Sequence, residues 1–285
     1  MNIMNKHILV SIIMIFILNG CNFKKGNIDN SQSQIISELD TIDNINETDS
    51  SKPHAEIQPI VYSEGIDILL PAMYRGTEPS DFEYLLGEDY YVLYTDSAKQ
   101  NYYFEKAAIE IGKFYDDCLG DSTTYINAGY GDHEMLIIGG LIPHTREQKS
   151  IVSHNKNIWV GDSLPFTFGD QKYKFTTQGN VISEEKVWTN DGLVNWQEVT
   201  NYKLYLSTEI DGEIVTQLLI AIPSFNDTFV SMLFAGDLDN DGKPDFLFDT
   251  SRDYEEKAVV LFLSSKAKTN EIVRCVGESS YQFDC

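Results

Sequence analysis

The sequence predicts a mainly β domain, a single antiparallel unit with little helix. Three observations carry that expectation. The chain holds 16 Tyr and 15 Phe and is rich in Ile, Val and Thr, residue types that fit a pleated, half-buried surface. Runs of period-two alternation recur, as at Tyr202, Leu204, Leu206 and Ile210, which share one face of a strand. Two-residue turn signals separate such runs, whereas long stretches of helical periodicity are scarce.

The clearest element is the hairpin around Asp211-Gly212. Both turn positions there require positive φ, which Asp-Gly supplies, and an apolar run follows from Glu213 to Ile222. Asn190-Asp191-Gly192 marks another turn, between Val187-Trp188 and Val194-Asn195-Trp196. Further strands are expected at residues 90–95, 102–111, 123–128, 135–142, 172–177, 229–235, 246–249, 259–263 and 272–276. A short helix is expected near residues 79–86, with Ser80 as its cap. Propeller-like, sandwich and barrel layouts all fit this pattern.

The N-terminus has a different character. Lys6 precedes an apolar stretch from Ile8 to Leu18 that only Ser11 interrupts. It is too short to cross a bilayer, which takes about 20 apolar residues, and suits the apolar region of a signal peptide. The stretch ends in Leu18-Asn19-Gly20-Cys21, which resembles the bacterial lipobox. The resemblance implies cleavage before Cys21, acylation of its thiol and attachment to a lipid membrane. Position 22 is Asn rather than Asp, which points toward the outer membrane of the cell envelope. Residues 1–20 are thus expected to be a signal peptide and residues 21–59 a polar, disordered tether. Asn, Ser, Asp and Thr dominate that tether and offer too little apolar surface to offset the entropy of ordering it. Residues 60–285 remain for the β-rich domain.

The formal net charge is −23. Such a surface repels nucleic acid and anionic headgroups, and favours soluble polyvalent cations or basic partners. Enzyme signatures are thin. His133-Glu134 lacks a second His at metalloprotease spacing, and no Gly-x-Ser-x-Gly or phosphate-binding Gly-Lys loop occurs. Ser153-x-x-Lys156 and Ser265-x-x-Lys268 stand without partner motifs. Paired acids such as Asp116-Asp117, Glu184-Glu185 and Glu255-Glu256 read as solvated surface, and Trp159, Trp188 and Trp196 as core. No catalytic residue is assigned.

The most specific chemistry lies at Asp237-Leu238-Asp239-Asn240-Asp241-Gly242-Lys243-Pro244-Asp245. Asp237, Asp239, Asp241 and Asp245 fall at positions one, three, five and nine, and the carbonyl of Lys243 at seven. Calcium takes six to eight oxygen ligands and such a loop can wrap around it. Four clustered carboxylates also repel one another without a counter-charge. Position twelve is Phe248 where an EF-hand has a bidentate Glu, and the flanks read as strands. The segment therefore resembles the calcium hairpin of FG-GAP and VCBS repeats, which implies a structural calcium ion. A complete propeller of such repeats would need further copies of the loop, and the sequence holds one.

After Cys21, three cysteines remain. An exported domain permits disulfides, and Cys275–Cys285 or Cys118–Cys285 could form. Residues 235–267, with Asp249-Thr250-Ser251 and Leu261-Phe262-Leu263-Ser264-Ser265, look like the C-terminal segment of a group of bacterial proteins that carry Asp-x-Cys-x-Gly upstream and end in Cys. That likeness implies the Cys118–Cys285 pairing. Asp249, Arg252 and Asp253, just past the calcium strand, are a candidate partner loop. The expectation for the whole is a calcium-stabilised, non-catalytic envelope lipoprotein that binds a protein or glycan. The alternatives are a hydrolase acting on envelope polymers and an inhibitor or immunity protein whose acidic face masks a basic toxin.

Overall fold

The computed structural model describes residues 65–283, except 88, 97, 99–100, 152–155 and 190–191. The expected signal peptide and tether, with Cys21, and also Cys285 lie outside the described residues. The described part belongs to one compact unit, Val61–Cys285.

Four antiparallel sheets make up this unit. The first sheet contains β1 (Asp67–Leu69), β3 (Tyr90–Thr95), β4 (Tyr102–Lys106), β7 (Glu134–Gly139) and β8 (Glu147–Gln148), in the order β1-β7-β3-β4-β8. The second, smaller sheet contains β2 (Ala72–Tyr74), β5 (Glu110–Asp116) and β6 (Asp121–Asn127), in the order β2-β6-β5. The third contains β9 (Lys156–Asn157), β14 (Ser231–Gly236), β15 (Asp245–Asp249), β16 (Glu256–Leu263) and β17 (Arg274–Gln282), in the order β17-β16-β15-β14-β9. The fourth contains β10 (Ser163–Phe168), β11 (Gln171–Thr189), β12 (Gly192–Ile210) and β13 (Glu213–Ser224), in chain order.

The sheets pack face to face in succession, and the sequence shows why. On β3, Tyr90, Val92 and Tyr94 point into a cluster with Ile126 and Ala128 of the small sheet's side, whereas Leu93 points into a second cluster with Leu247, Leu261 and Val276 of the third sheet. On β15 the same division recurs. Leu247 faces the first sheet, and Phe246 and Phe248 meet Phe175 of the fourth at 5.1 and 5.9 Å. A strand covered on both faces needs apolar groups at every position. Hence Met135–Ile138 and Phe246–Phe248 read as unbroken apolar runs and are buried throughout. The fourth sheet is covered on one face, so β12 keeps its alternation, with Tyr202, Leu204 and Leu206 fully buried.

Among the described residues no sheet closes on itself, so the barrel layout is not adopted. The Asp211-Gly212 hairpin has the expected turn, with φ of 52° and 84°. The strand expected over 102–111 is two, split at residues 107–109 as the chain passes from the first sheet to the second. The expected helix is a 3-10 helix, Pro79–Leu86, and its cap is Glu78 rather than Ser80. Glu78 and Asp81 bond each other's backbone N–H reciprocally, a capping-box arrangement. Pro79 supplies a preset φ at the first position.

Trp159 and Trp196 pack edge to face at 5.4 Å, and Trp159 also meets Phe229 at 4.3 Å. Trp188 departs from the expectation of a core residue, being 78% exposed. The reason is topological. Beyond Val181, β11 pairs with β12 alone, so no second layer covers the end of that hairpin.

Candidate metal centre

The acidic loop joins β14, buried throughout, to β15, buried except at Asp249. Its geometry follows from local chemistry. Asn240 and Gly242 adopt positive φ, 61° and 84°, which Asn and Gly tolerate best. Leu238, 1% exposed, turns inward and plants the loop in the core. At the loop's start the chain passes so close to residue 149 that a Cβ on Gly236 would lie 2.2 Å from the Lys149 carbonyl oxygen.

These constraints bring three carboxylates together. Asp237, Asp239 and Asp245 each offer an oxygen, and the three atoms lie within 4.8 Å of one another. Asp245 is fully buried and accepts hydrogen bonds from the backbone N–H of Leu238 (2.8 Å) and Ser264 (2.8 Å), with the Ser264 hydroxyl at 3.0 Å. Asp237 accepts from the backbone N–H of Asp241 (3.0 Å) and Gly242 (2.9 Å). Asp239 takes the Ser265 hydroxyl on Oδ2, while its Oδ1 is buried and has no hydrogen-bond partner.

The electrostatics match this crowding. Burial first, and then the charge of Asp239, push the Asp245 carboxyl well above the usual carboxylate range despite its hydrogen bonds. Burial also raises Asp239, and repulsion from Asp241 and Asp237 adds to it. Concentrated negative charge beside an unsatisfied carboxylate oxygen is a demand for a cation. The donors are all hard oxygens, which suit calcium, magnesium or manganese rather than softer metals.

Two of the five residues predicted for the loop stand apart from this trio. Asp241 is exposed, accepts the Ser264 hydroxyl at 3.0 Å and bonds the Lys243 N–H at 2.8 Å. Lys243 is exposed. Ser264 and Ser265 were not predicted as part of the site. They reach it because β16 pairs with β15 in the register Phe246↔Phe262, which carries the end of β16 past Asp245. No local motif announces that register.

Elsewhere, Asp249, Arg252 and Asp253 lie on one turn, but the acids serve the turn itself. Asp249 accepts from the Ser251 N–H (3.0 Å) and hydroxyl (2.5 Å) and pairs with Lys257. Asp253 accepts from Asn226 (2.8 Å) and the Glu255 N–H (3.0 Å), the former bond being the main reason its carboxyl is held low. Arg252 is exposed. Cys275 is a buried free thiol, raised to about 12 chiefly by burial, so the Cys275–Cys285 pairing is not adopted. No disulfide joins two of the described residues.

No protein-family profile, no curated protein and no solved structure matches this chain.

Proposed function

We propose that this domain is a calcium-stabilised, non-catalytic binding module held to the cell envelope by lipid on Cys21. The observation that carries the metal part is the unpartnered, buried Oδ1 of Asp239 beside the carboxylates of Asp237 and Asp245. Calcium suits the loop better than magnesium, which demands near-ideal octahedral geometry and keeps its water. In this reading Asp241 and the Lys243 carbonyl complete the shell with water. The likeness to FG-GAP and VCBS hairpins, stated above on the loop's own residues, supports the same assignment.

The role of the ion is structural. It neutralises the connection between two central strands that are buried on both faces, so it stabilises the whole stack and exposes no open coordination chemistry. The exposed Arg252 and the acidic surface are then the partner-facing features, toward a protein or glycan. With Cys275 a buried free thiol, the pairing we propose is Cys118–Cys285.

Isothermal titration of chelator-stripped protein with calcium tests the metal reading. One ion per chain is expected, and no saturable heat up to 10 mM calcium, on the order of ten times the weakest affinity typical of extracellular sites, would overturn it. Mass spectrometry of the protein from membranes tests the anchor independently. The expected N-terminus is an acylated Cys21, and an intact or unmodified one would remove that part of the proposal.

A further inference from the structure

The end of the β11–β12 hairpin is the least covered apolar feature among the described residues. Strand β10 stops pairing with β11 at Thr176, and β13 stops pairing with β12 at Thr200. Past these points the two strands continue as a ribbon bonded only to each other. The last body contacts along it are at Gln197, whose side chain accepts the Val160 N–H at 2.9 Å and donates to Glu184 at 2.9 Å, and one residue further out at Trp196, which packs on Trp159 at 5.4 Å. From there to the turn each strand runs about four residues, an arm about 13 Å long.

Cover on this arm differs between its two strands, Val181 and Ile182 of β11 being 39% and 60% exposed. Nearest the body, Val199 and Gln197 are buried. On the same face further out, Trp188 and Leu193 stand opposite one another, 78% and 51% exposed. On the other face Val187 pairs with Val194. The final three rungs, Val187–Thr189 against Gly192–Val194, carry no charge. The next rung back holds Lys186, and the acids Glu185 and Glu184 follow.

We propose that this arm is a lipid-surface contact, with Trp188 and Leu193 seated in the interface of a zwitterionic bilayer. The inference rests on the reading of Cys21 as the lipid-bearing residue. Three uncharged rungs measure about 10 Å, the depth to which interfacial segments enter the headgroup and acyl boundary. A Trp at that depth has an apolar body in lipid and an N–H among headgroups. Lys186 then falls at phosphate level, and Glu184 and Glu185 stay in water, which sets the limit of entry. Lipid on Cys21 would keep a bilayer close to the domain, so weak insertion would suffice. The net charge of −23 selects zwitterionic over anionic lipid. Asp191, between the two strands in the sequence, is a charge that would oppose insertion.

The test uses the acylated full chain reconstituted in phosphatidylcholine vesicles that contain brominated phosphatidylcholine. Trp188 emission should shift to the blue and be quenched, and Trp188→Phe should remove the quenchable component. Leu193→Asp should lower the inserted-to-free ratio at least about tenfold, the cost of exposing half a leucine and adding a charge, and Asp191→Asn should raise it. Leu193 is exposed, so its replacement leaves the fold intact, which circular dichroism verifies. Equal quenching in wild type and Leu193→Asp, or an emission that stays at the solvent-exposed wavelength, overturns the inference. The latter result would leave a protein pocket as the arm's occupant. Flotation of the chain with the vesicles reports the anchor separately. If the chain carries no lipid, the same variants compared by sedimentation with excess vesicles still decide whether the arm binds.

Discussion

Replacing Asp239 with Asn separates a metal site from a merely acidic turn, because the two readings predict opposite patterns. The amide keeps the shape of the side chain and an oxygen for the Ser265 hydroxyl. It removes one charge from a cluster whose burial and mutual repulsion already hold Asp239 and Asp245 above their usual range. Without metal, the variant should therefore melt higher than the wild type. With calcium the order should reverse. A ligand present at a hundred times its Kd stabilises the native state by about 2.7 kcal/mol. For an extracellular site of Kd about 10⁻⁴ M, that condition is met near 10 mM calcium. In a domain of this size each kcal/mol moves the Tm by about 2–4 °C, so the wild type should gain about 5–10 °C and Asp239→Asn only a fraction of it. Differential scanning calorimetry in chelator and in 10 mM calcium reads both effects, with magnesium as the control. An equal calcium shift in both proteins, or none in the wild type, would refute the reasoning.

The metal-free domain should lose stability as pH rises through the folded-state range of Asp245 and Asp239. Both carboxyls are raised on folding, so the native state binds more protons than the unfolded chain in that window, and stability falls with pH there. Urea melts in chelator between pH 4 and pH 8 check the slope, and a stability that rises across the window counts against it. Leu238→Ala should cost about 2–5 kcal/mol by opening a cavity under the loop, and calcium affinity should fall with it; chemical denaturation and titration read the two. Gly236→Ala should destabilise the domain because its methyl would meet the Lys149 carbonyl oxygen at 2.2 Å, an effect visible as a lowered Tm. Peptide mapping without reduction should recover Cys118 linked to Cys285, and finding Cys275 in that linkage would contradict its burial as a free thiol.

Much of the fold was legible in the sequence, and the parts that were not share a cause. Alternation at Tyr202–Ile210 and the Asp-Gly turn are local, so the hairpin was readable. Strands β3, β7 and β15 were readable as apolar runs, but the reason for their unbroken character, burial on both faces, depends on which sheets stack on which. Two-residue strands such as β8 and β9 carry no periodicity to read. The helix cap went to Glu78 because the helix starts at Pro79, which places its cap two residues before Ser80. At the acidic loop the spacing singled out Asp237, Asp239 and Asp245, while Ser264 and Ser265 arrive from 19 and more residues away by strand register. Trp188 was misread because composition cannot tell that a hairpin outruns its neighbouring strands.

The short first strand has a mechanical consequence. Any pull transmitted from the N-terminal side enters the domain at β1, whose three residues pair with β7 alone. Ile68 belongs to the cluster between the first and third sheets, and Leu69 to the cluster on the opposite side. The N–H of Leu70 is tied to the Ser279 hydroxyl on β17 at 2.9 Å. A load that would be borne by one hydrophobic contact at an ordinary sheet edge is here divided between two layers and a strand of a third sheet. Drawing out three residues would uncover both clusters at once, so the point of attachment yields together with the core and not ahead of it.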